Sequence, residues 1–424
     1  MGSKNLKAVA VRGTGEIPVA HPERVLQINQ LVAEGMKNSA WTVPLGTYGT
    51  GVATSGSALS GDSPVKNWGG VGVIDYGEDN ASKNNSIILE KYKTRKYNCA
   101  NCPLGCGAEM KYDEGRWPLE ATERPEYETF ASFGSTILCS EMDAIMKCNE
   151  ICNIYGFDSI SAGMTIAWAM ECYNNGILSR EDLDGIDLTW GNGAAVVELL
   201  QKMADGKGCG AVLAIGSAYA AKSWGKGEEY LQTASGIELP MHDPRHSPGL
   251  ARTYLYDPTP GRHVKGGLGG PQMVAPLNKA NYNYEGTGEK DFQLTADTEI
   301  MNASSLCYMG KMTIPAEAQN EYIKAITGFE FEADKALATG QRIYLMRQAF
   351  NAREGIKPSD MTIANRAIGE PPLQAGPLEG VTVDVHLLGR NFFAAAGIDA
   401  ETGKPELKTL TKLGHMEAVI NDLY

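Results

Sequence analysis

Three cysteines in the stretch YNCANCPLGCGAEM, Cys99, Cys102 and Cys106, follow the spacing C-x2-C-x3-C. Thiolates bind soft or borderline metals because sulfur donates strongly to them, and three on one short loop converge only where the backbone reverses. Pro103 and Gly105 permit that reversal. Three ligands do not complete a four-coordinate zinc ion or an iron–sulfur cluster. Zinc sites usually combine two C-x2-C pairs, or one such pair with a histidine pair, and no second pair is present. A cluster tolerates three near ligands and one remote one. A structural zinc site and three unrelated buried thiols are the plainer alternatives. Of the other cysteines, Cys148, Cys152 and Cys172 lie in helical patterns where a small apolar residue would serve as well, and Cys209 precedes a helix in the same way. Cys139 stays open. Cys307, in NASSLCYMG, sits among small residues that let a cofactor approach closely, and is the expected fourth ligand.

A second group could handle protons. Glu126 and Glu128, two apart in RPEYET, face one way in extended backbone and diverge in a turn. An exposed pair of glutamates is ordinarily solvated surface. His263 and Lys265 share the Pro/Gly-rich segment DPTPGRHVK, where a lone histidine often bonds loop backbone. His242 and His246 flank DPR and could line the same cavity, with Asp243 and Arg245 as a structural ion pair.

The elements that must position these residues are mostly helical. Pro22 suits the first position of a helix, and Val25, Leu26, Ile28, Leu31 and Val32 follow at helical spacing. Residues 43–80 are rich in Gly, Ser and Thr and predict a long ordered loop with short helical pieces. The cysteines follow on another such connection. From about residue 141, EMDAIMKCNEICNIYG, AGMTIAWAMECYNNG, NGAAVVELLQKMADG and GAVLAIGSAYAAKSWG each predict a helix stopped by a left-handed glycine. Residues 236–275 are dense in Pro, Gly and His and predict irregular backbone, the kind of segment in which functional residues concentrate. Helices resume with DFQLTADTEIMNASSLCYMG, AEAQNEYIKAITG and EADKALATGQRIYLMRQAFNAREG, and a shorter pair ends the chain. The segment Leu6–Val11 predicts a strand. It enters without any start signal and reads as the interior of a domain, so a longer polypeptide is expected.

Length and composition bound the rest. With 424 residues, 43% hydrophobic and 21% charged, the chain has room for two or three domains. No apolar run reaches the roughly 18 residues of a membrane span. The net charge is −13, from 38 Lys+Arg against 51 Asp+Glu, and no basic cluster marks a nucleic-acid footprint. Nine cysteines in a chain of this length, with no signal peptide, fit a reducing cytoplasm.

Seven motifs in order, MGSKNLKAVAVRG, CANCPLGCG, ERPEYE, YGFDSISAG, ELPMHDPR, DPTPGRHVK and SSLCYMG, resemble the tungsten-containing aldehyde:ferredoxin oxidoreductase family from Met1 to about residue 350. The resemblance implies a mainly α fold: residues 1–20 as the β remnant of a first, pterin-binding domain, 21–228 as a helical domain carrying the cysteine loop, and 229–424 as a helical domain carrying the histidine loop and fourth cysteine. It implies one [4Fe–4S] cluster on Cys99, Cys102, Cys106 and Cys307, beside tungsten or molybdenum held by two pyranopterins. Asn153, Phe157 and Asp158 match one pterin motif, Asn302 and Leu306 the second, and Lys265 a lysine near the pterin. Glu128 matches the family's proposed catalytic glutamate and His263 its partner. The implied reaction oxidises an aldehyde to a carboxylic acid, with electrons leaving to ferredoxin or a ferredoxin-like subunit. A protonated His263 is expected to polarise the aldehyde oxygen while Glu128 assists attack by water.

Several positions depart from the family. Asn153 and Asn302 replace aspartates, which keeps an acceptor for pterin N–H groups but loses charge-assisted strength. Asp158 is also a natural helix N-cap. Where some members carry Glu-x-x-His for an iron between subunits, this chain has Lys147, Cys148, Asn149 and Glu150, so no such iron is expected, although oligomers through other surfaces are possible. Two alternatives follow: a tungsten subunit like that of class II benzoyl-CoA reductase, in which Cys139 could ligate the metal, or a non-catalytic electron-transfer or scaffold subunit.

Overall fold

The structure, a computed structural model, describes residues 4–424. Helices dominate, as expected. Helix α1, Pro22–Asn38, has Pro22 in its first turn, where a missing N–H costs nothing. It buries Ile28, Val32 and Met36, spaced four apart, and leaves Leu26 and Leu31 exposed. That buried stripe packs with Leu45 and Leu104 against Ala318 and Ala325 of the helix Ala318–Thr327. One small core thus joins the start of the chain to a helix some three hundred positions later.

The strand predicted at Leu6–Val11 does not form. Residues 6–14 make no ladder and are exposed, Val9 at 70% and Val11 at 90%. A strand needs a partner's N–H and C=O groups, and none lies alongside. Only Ala20 and His21 dock, donating to the carbonyls of Ile326 and Ala325 at 3.0 and 2.8 Å. The expected β remnant at 1–20 is therefore irregular from residue 6 to residue 20, and its residues 1–3 lie outside the described ones.

The sheet lies elsewhere. Strands β1 (Lys93–Tyr97), β2 (Gly107–Tyr112) and β3 (Leu119–Glu123) form an antiparallel meander, with Arg95 opposite Glu109 and Met110 opposite Thr122. The cysteine segment expected on a plain connection is the β1–β2 loop. In β2, Ala108, Met110 and Tyr112 alternate into the largest core. The helices Met142–Tyr155, Ser159–Asn174 and Gly193–Asp205 enclose that core with Ile145, Ile151, Ile166, Trp168 and Leu200. The helix predicted over 210–225 is split into Cys209–Leu213 and Ser217–Trp224. Gly216 at φ +121° breaks it, and Glu238 Oε1 accepts from the freed Ser217 N–H at 2.7 Å.

A second core packs Phe292, Tyr344 and Phe392 edge to face among the helices Gly288–Ala303, Ala333–Arg353 and Val385–Ala396. Between the two, Trp68, Tyr127, Ala131, Met164, Leu239, Met241, Leu250 and Tyr254 form a third core, drawn from segments across the chain. No helix of the described residues is long and apolar enough to cross a membrane.

Candidate active site

The cysteine loop is shaped by its backbone. Asn101 and Gly105 both take left-handed conformations, at φ +58° and +63°, and reverse the chain twice within nine residues. Asn98 Nδ2 donates to the Cys102 carbonyl at 2.8 Å, and Cys102 N–H to the Cys99 carbonyl at 3.1 Å. Buried Arg124, at the end of β3, clamps the far side, donating to the Thr47 carbonyl at 2.7 Å and to the Cys106 carbonyl. All four expected ligands are free thiols, Cys99 and Cys307 exposed, Cys102 and Cys106 half-buried. Burial pushes the Cys106 thiol up, and the nearby Glu126, Cys307 and Cys102 add to the shift. Cys307 is near enough to add to that shift, and Met309, two residues on, packs on the same small core as Cys102 and Cys106. Cys139, Cys148, Cys152, Cys172 and Cys209 are all buried in the first core, Cys139 on the connection that leads into the helix Met142–Tyr155. Burial raises the Cys139 thiol to about 12, so it stays protonated and serves as packing.

The two motifs matched to pterin binding share one backbone form, which their spelling does not suggest. Asn153 and Asn302 each lie in the last turn of a long helix, Met142–Tyr155 and Gly288–Ala303. Gly156 and Ser305 follow in left-handed conformations, at φ +75° and +59°. Phe157 then donates to the Cys152 carbonyl at 2.9 Å, and Leu306 to the Met301 carbonyl at 3.1 Å, the same bond five residues back. Asp158 and Cys307 come next, each at the N-cap position of the following helix. Asp158 caps in fact: its Oδ1 accepts from Ile160 and Ser161 N–H at 2.9 and 3.2 Å, while Oδ2 accepts from Arg262 at 3.2 Å. A cavity of about 480 Å³ adjoins the first motif, lined by Phe157, Asp158, Gly216 and Glu238. One of about 250 Å³ adjoins the second, lined by Gly266, Gly267, Met301 and Tyr308. Lys265 lies near that second motif's helix: burial raises the Glu299 carboxyl there, and the charge of Lys265 offsets a small part of that rise.

The carboxylates diverge. Glu126 precedes the helix Tyr127–Ser132, is exposed, and accepts from Thr50. Glu128, the second residue of that helix, points the other way into the third core, where Oε2 accepts from Met241 N–H at 2.8 Å. His263 Nδ1 stands 3.3 Å from Glu128 Oε1, and His242 Nε2 stands 3.9 Å from the same oxygen. The reactive atoms of Glu128, His242 and His263 all lie within 4.8 Å of one another. Glu128 Oε1 and His263 Nδ1 are buried without a hydrogen-bond partner. What distinguishes these two orphans is that they face each other, which leaves both free to bond a third group. Asp243 and Arg245 form the expected buried ion pair, at 2.7 Å.

Burial raises Glu128 to about 7, partly offset by His242 and the Met241 N–H. Burial also drives His263 well below its ordinary value, reinforced by the positive charges of His242 and Arg262. The protonated His263 expected from the sequence is thus disfavoured: near neutral pH the imidazole is uncharged and Glu128 is poised between its two forms. Burial disfavours charge on His242 too, but Asp62 and Glu128 outweigh it and the net shift is upward. Asp62, inside the segment read only as an ordered loop, is the functional neighbour that sequence reasoning missed. One aspartate in LSGDSP carries no spacing signal.

The family model for aldehyde ferredoxin oxidoreductase, domains 2 and 3, matches residues 27–414. The tungsten-containing aldehyde ferredoxin oxidoreductase of Pyrococcus furiosus is 30% identical over 422 residues, 98% of this chain and 68% of that protein. The enzyme of the same name from Thermococcus kodakarensis is 28% identical over 426 residues, again 98% and 68%. Among solved structures, the active site complex BamBC of benzoyl coenzyme A reductase, in complex with 1,5-dienoyl-CoA, superposes with a TM-score of 0.76 at 21% identity over 100% of this chain and 69% of that one. That likeness establishes a shared fold.

Proposed function

We propose that this chain, which belongs to the aldehyde ferredoxin oxidoreductase family, provides the proton-handling pocket and the electron exit of a tungsten–pterin oxidoreductase that converts aldehydes to carboxylic acids. The observation that carries the reading is the facing pair of unpartnered buried atoms, Glu128 Oε1 and His263 Nδ1. The donor set also suits the implied cofactors. Cys99, Cys102, Cys106 and Cys307 would hold a [4Fe–4S] cluster, since four free thiols converging from two segments repel as thiolates until a cation binds them. Asn153, Phe157 and Asp158, and in parallel Asn302 and Leu306, would line the two pterins, with Lys265 beside the second. When bound, the pterin-held metal, tungsten or molybdenum, supplies a two-electron centre and the cluster a one-electron route to ferredoxin or a ferredoxin-like subunit.

Aldehyde and water yield a carboxylic acid, two electrons and two protons, so the protein must accept protons. A carboxyl group near 7 both takes and returns a proton at neutral pH, which is where general catalysis is most effective. Glu128 is the base that takes a proton from the attacking water. Neutral His263, 3.3 Å away, orients the aldehyde oxygen through a ring N–H and does not compete for that proton. The apolar wall of Met164, Leu239 and Met241 keeps bulk water away from the pair.

The test is aldehyde-dependent dye reduction by the metal-loaded full-length enzyme, run beside benzoyl-CoA analogues with a low-potential dye. Aldehyde turnover that collapses in Glu128→Gln with tungsten retained supports the reading. Turnover of benzoyl-CoA analogues alone would replace it with ring reduction, and iron without tungsten or molybdenum would replace it with a scaffold role.

A further inference from the structure

Glu128 has a second imidazole beside it, facing the same carboxylate oxygen as His263. His242 Nδ1 lies 2.7 Å from Asp62 Oδ2, and Asp62 is 2% exposed. With Asp62 Oδ2 as the acceptor, the His242 proton sits on Nδ1 and Nε2 is left facing Glu128. The ring is held on every side. It stacks on Tyr127, with centroids 4.5 Å apart and planes at 16°, and lies 5.0 Å from the His263 ring. The His242 carbonyl accepts from Tyr254 at 2.8 Å, and the neighbouring Met241 carbonyl accepts from Tyr127 at 2.7 Å. Asp62 is anchored through its own carbonyl, which accepts from Asp243 N–H at 2.7 Å. A histidine that merely filled the core would need one polar partner; this one bridges two carboxylates from distant segments.

The other ionisable groups facing the bridge are His263, Asp243, and His246, whose Nδ1 is 3.9 Å from Asp62 Oδ1, with Asp158 and Arg262 acting from the adjoining helix start and loop. Tyr127 and Tyr254 are buried and held far above neutral, so they stay uncharged.

We infer that His242, oriented by Asp62, is a positioning residue that takes the proton Glu128 acquires in each turnover and so returns Glu128 to its basic form. This rests on the catalytic reading of Glu128. In the transfer the Glu128 O–H bond breaks and a His242 Nε2–H bond forms, with no change of oxidation state. The imidazolium is held by Asp62 until it releases a proton to solvent. The separation of 3.9 Å closes by a small side-chain rotation or one water, as is usual before substrate binds.

Two measurements test it. The chain has six histidines, few enough for their ring signals to be followed by NMR from acid to alkaline pH in labelled protein, with assignments from His242→Asn and His263→Asn. The His242 midpoint should fall by about one unit or more in Asp62→Asn, and measurably in Glu128→Gln, since each removes a negative charge within a few ångströms. A midpoint unmoved by Glu128→Gln overturns the coupling. In the metal-loaded enzyme, His242→Asn should lower kcat about tenfold with little change in KM and remove one inflection from the kcat–pH profile. Asp62→Asn, which keeps the shape of the site, serves if His242→Asn does not fold. Full turnover by Glu128→Gln would overturn the catalytic reading itself, whereas loss in Glu128→Gln with an unchanged His242→Asn profile overturns the relay alone.

Discussion

The pocket around Glu128 and the thiol-bearing face of this chain are built on opposite principles. Around Glu128 the side chains are half-buried with their facing atoms covered, and their neighbours are fixed by tertiary packing: Tyr127 and Tyr254 clamp the backbone, Asp62 aims His242, and the orphaned atoms face inward. In the cysteine loop and the two helix-end motifs the groups are fixed mainly by local backbone, left-handed residues at Asn101, Gly105, Gly156 and Ser305 and helix ends, and the thiols are exposed or half-buried. Burial tunes acidity, because it penalises charge. Exposure leaves soft donors accessible to a cofactor that brings its own binding energy. The pocket should therefore respond to isosteric charge changes, and the face to loss of a single ligand.

The largest effect should come from Glu128→Gln in the loaded enzyme. Aldehyde turnover is expected to fall about 10²–10⁴-fold with metal content unchanged, since a general base is removed without altering shape. Next, Cys307→Ser should cost most of the bound iron, read by metal analysis and by visible charge-transfer absorption. It should leave the histidine titrations untouched; parallel loss of both would erase the distinction between the two regions.

A third effect is on stability against pH. A carboxyl raised to about 7 holds a proton in the folded chain that the unfolded chain has released, so wild-type stability declines as pH rises from about 4.5 to 7. Glu128→Gln lacks that slope. Its unfolding free energy relative to wild type should climb across this window, by up to about 3 kcal/mol at pH 8, measured by denaturant titration. A constant difference would mean that Glu128 is not held in its acidic form by burial. The smallest effect is Asp158→Ala, which removes an N-cap and the Arg262 contact, lowering stability by about 1 kcal/mol and reducing pterin retention.

Much of the fold was legible from local rules. Pro22 started a helix, Gly156, Gly206 and Gly225 stopped helices in left-handed conformations, and Asp158 capped one. Where reading by local rules failed, the missing information was non-local. Leu6–Val11 has strand character but no partner within reach. The strands β1 to β3 were hidden in polar, charged segments such as KTRKY, whose pairing depends on a meander rather than on composition. Glu126 and Glu128 could not be told apart from spacing, since their divergence depends on a helix beginning between them.

By itself the sequence determined the chemistry on offer: a C-x2-C-x3-C run of thiols with further cysteines downstream, paired glutamates, and histidines in a Pro/Gly-rich segment. These are properties of residue type and of backbone within a few positions. Only the tertiary structure decided which of those groups act together and in what protonation state. It brought Asp62, His242 and His263 to Glu128 from three separate segments and buried them, and the acidity of a group depends on the charges and solvent around it rather than on its neighbours in sequence.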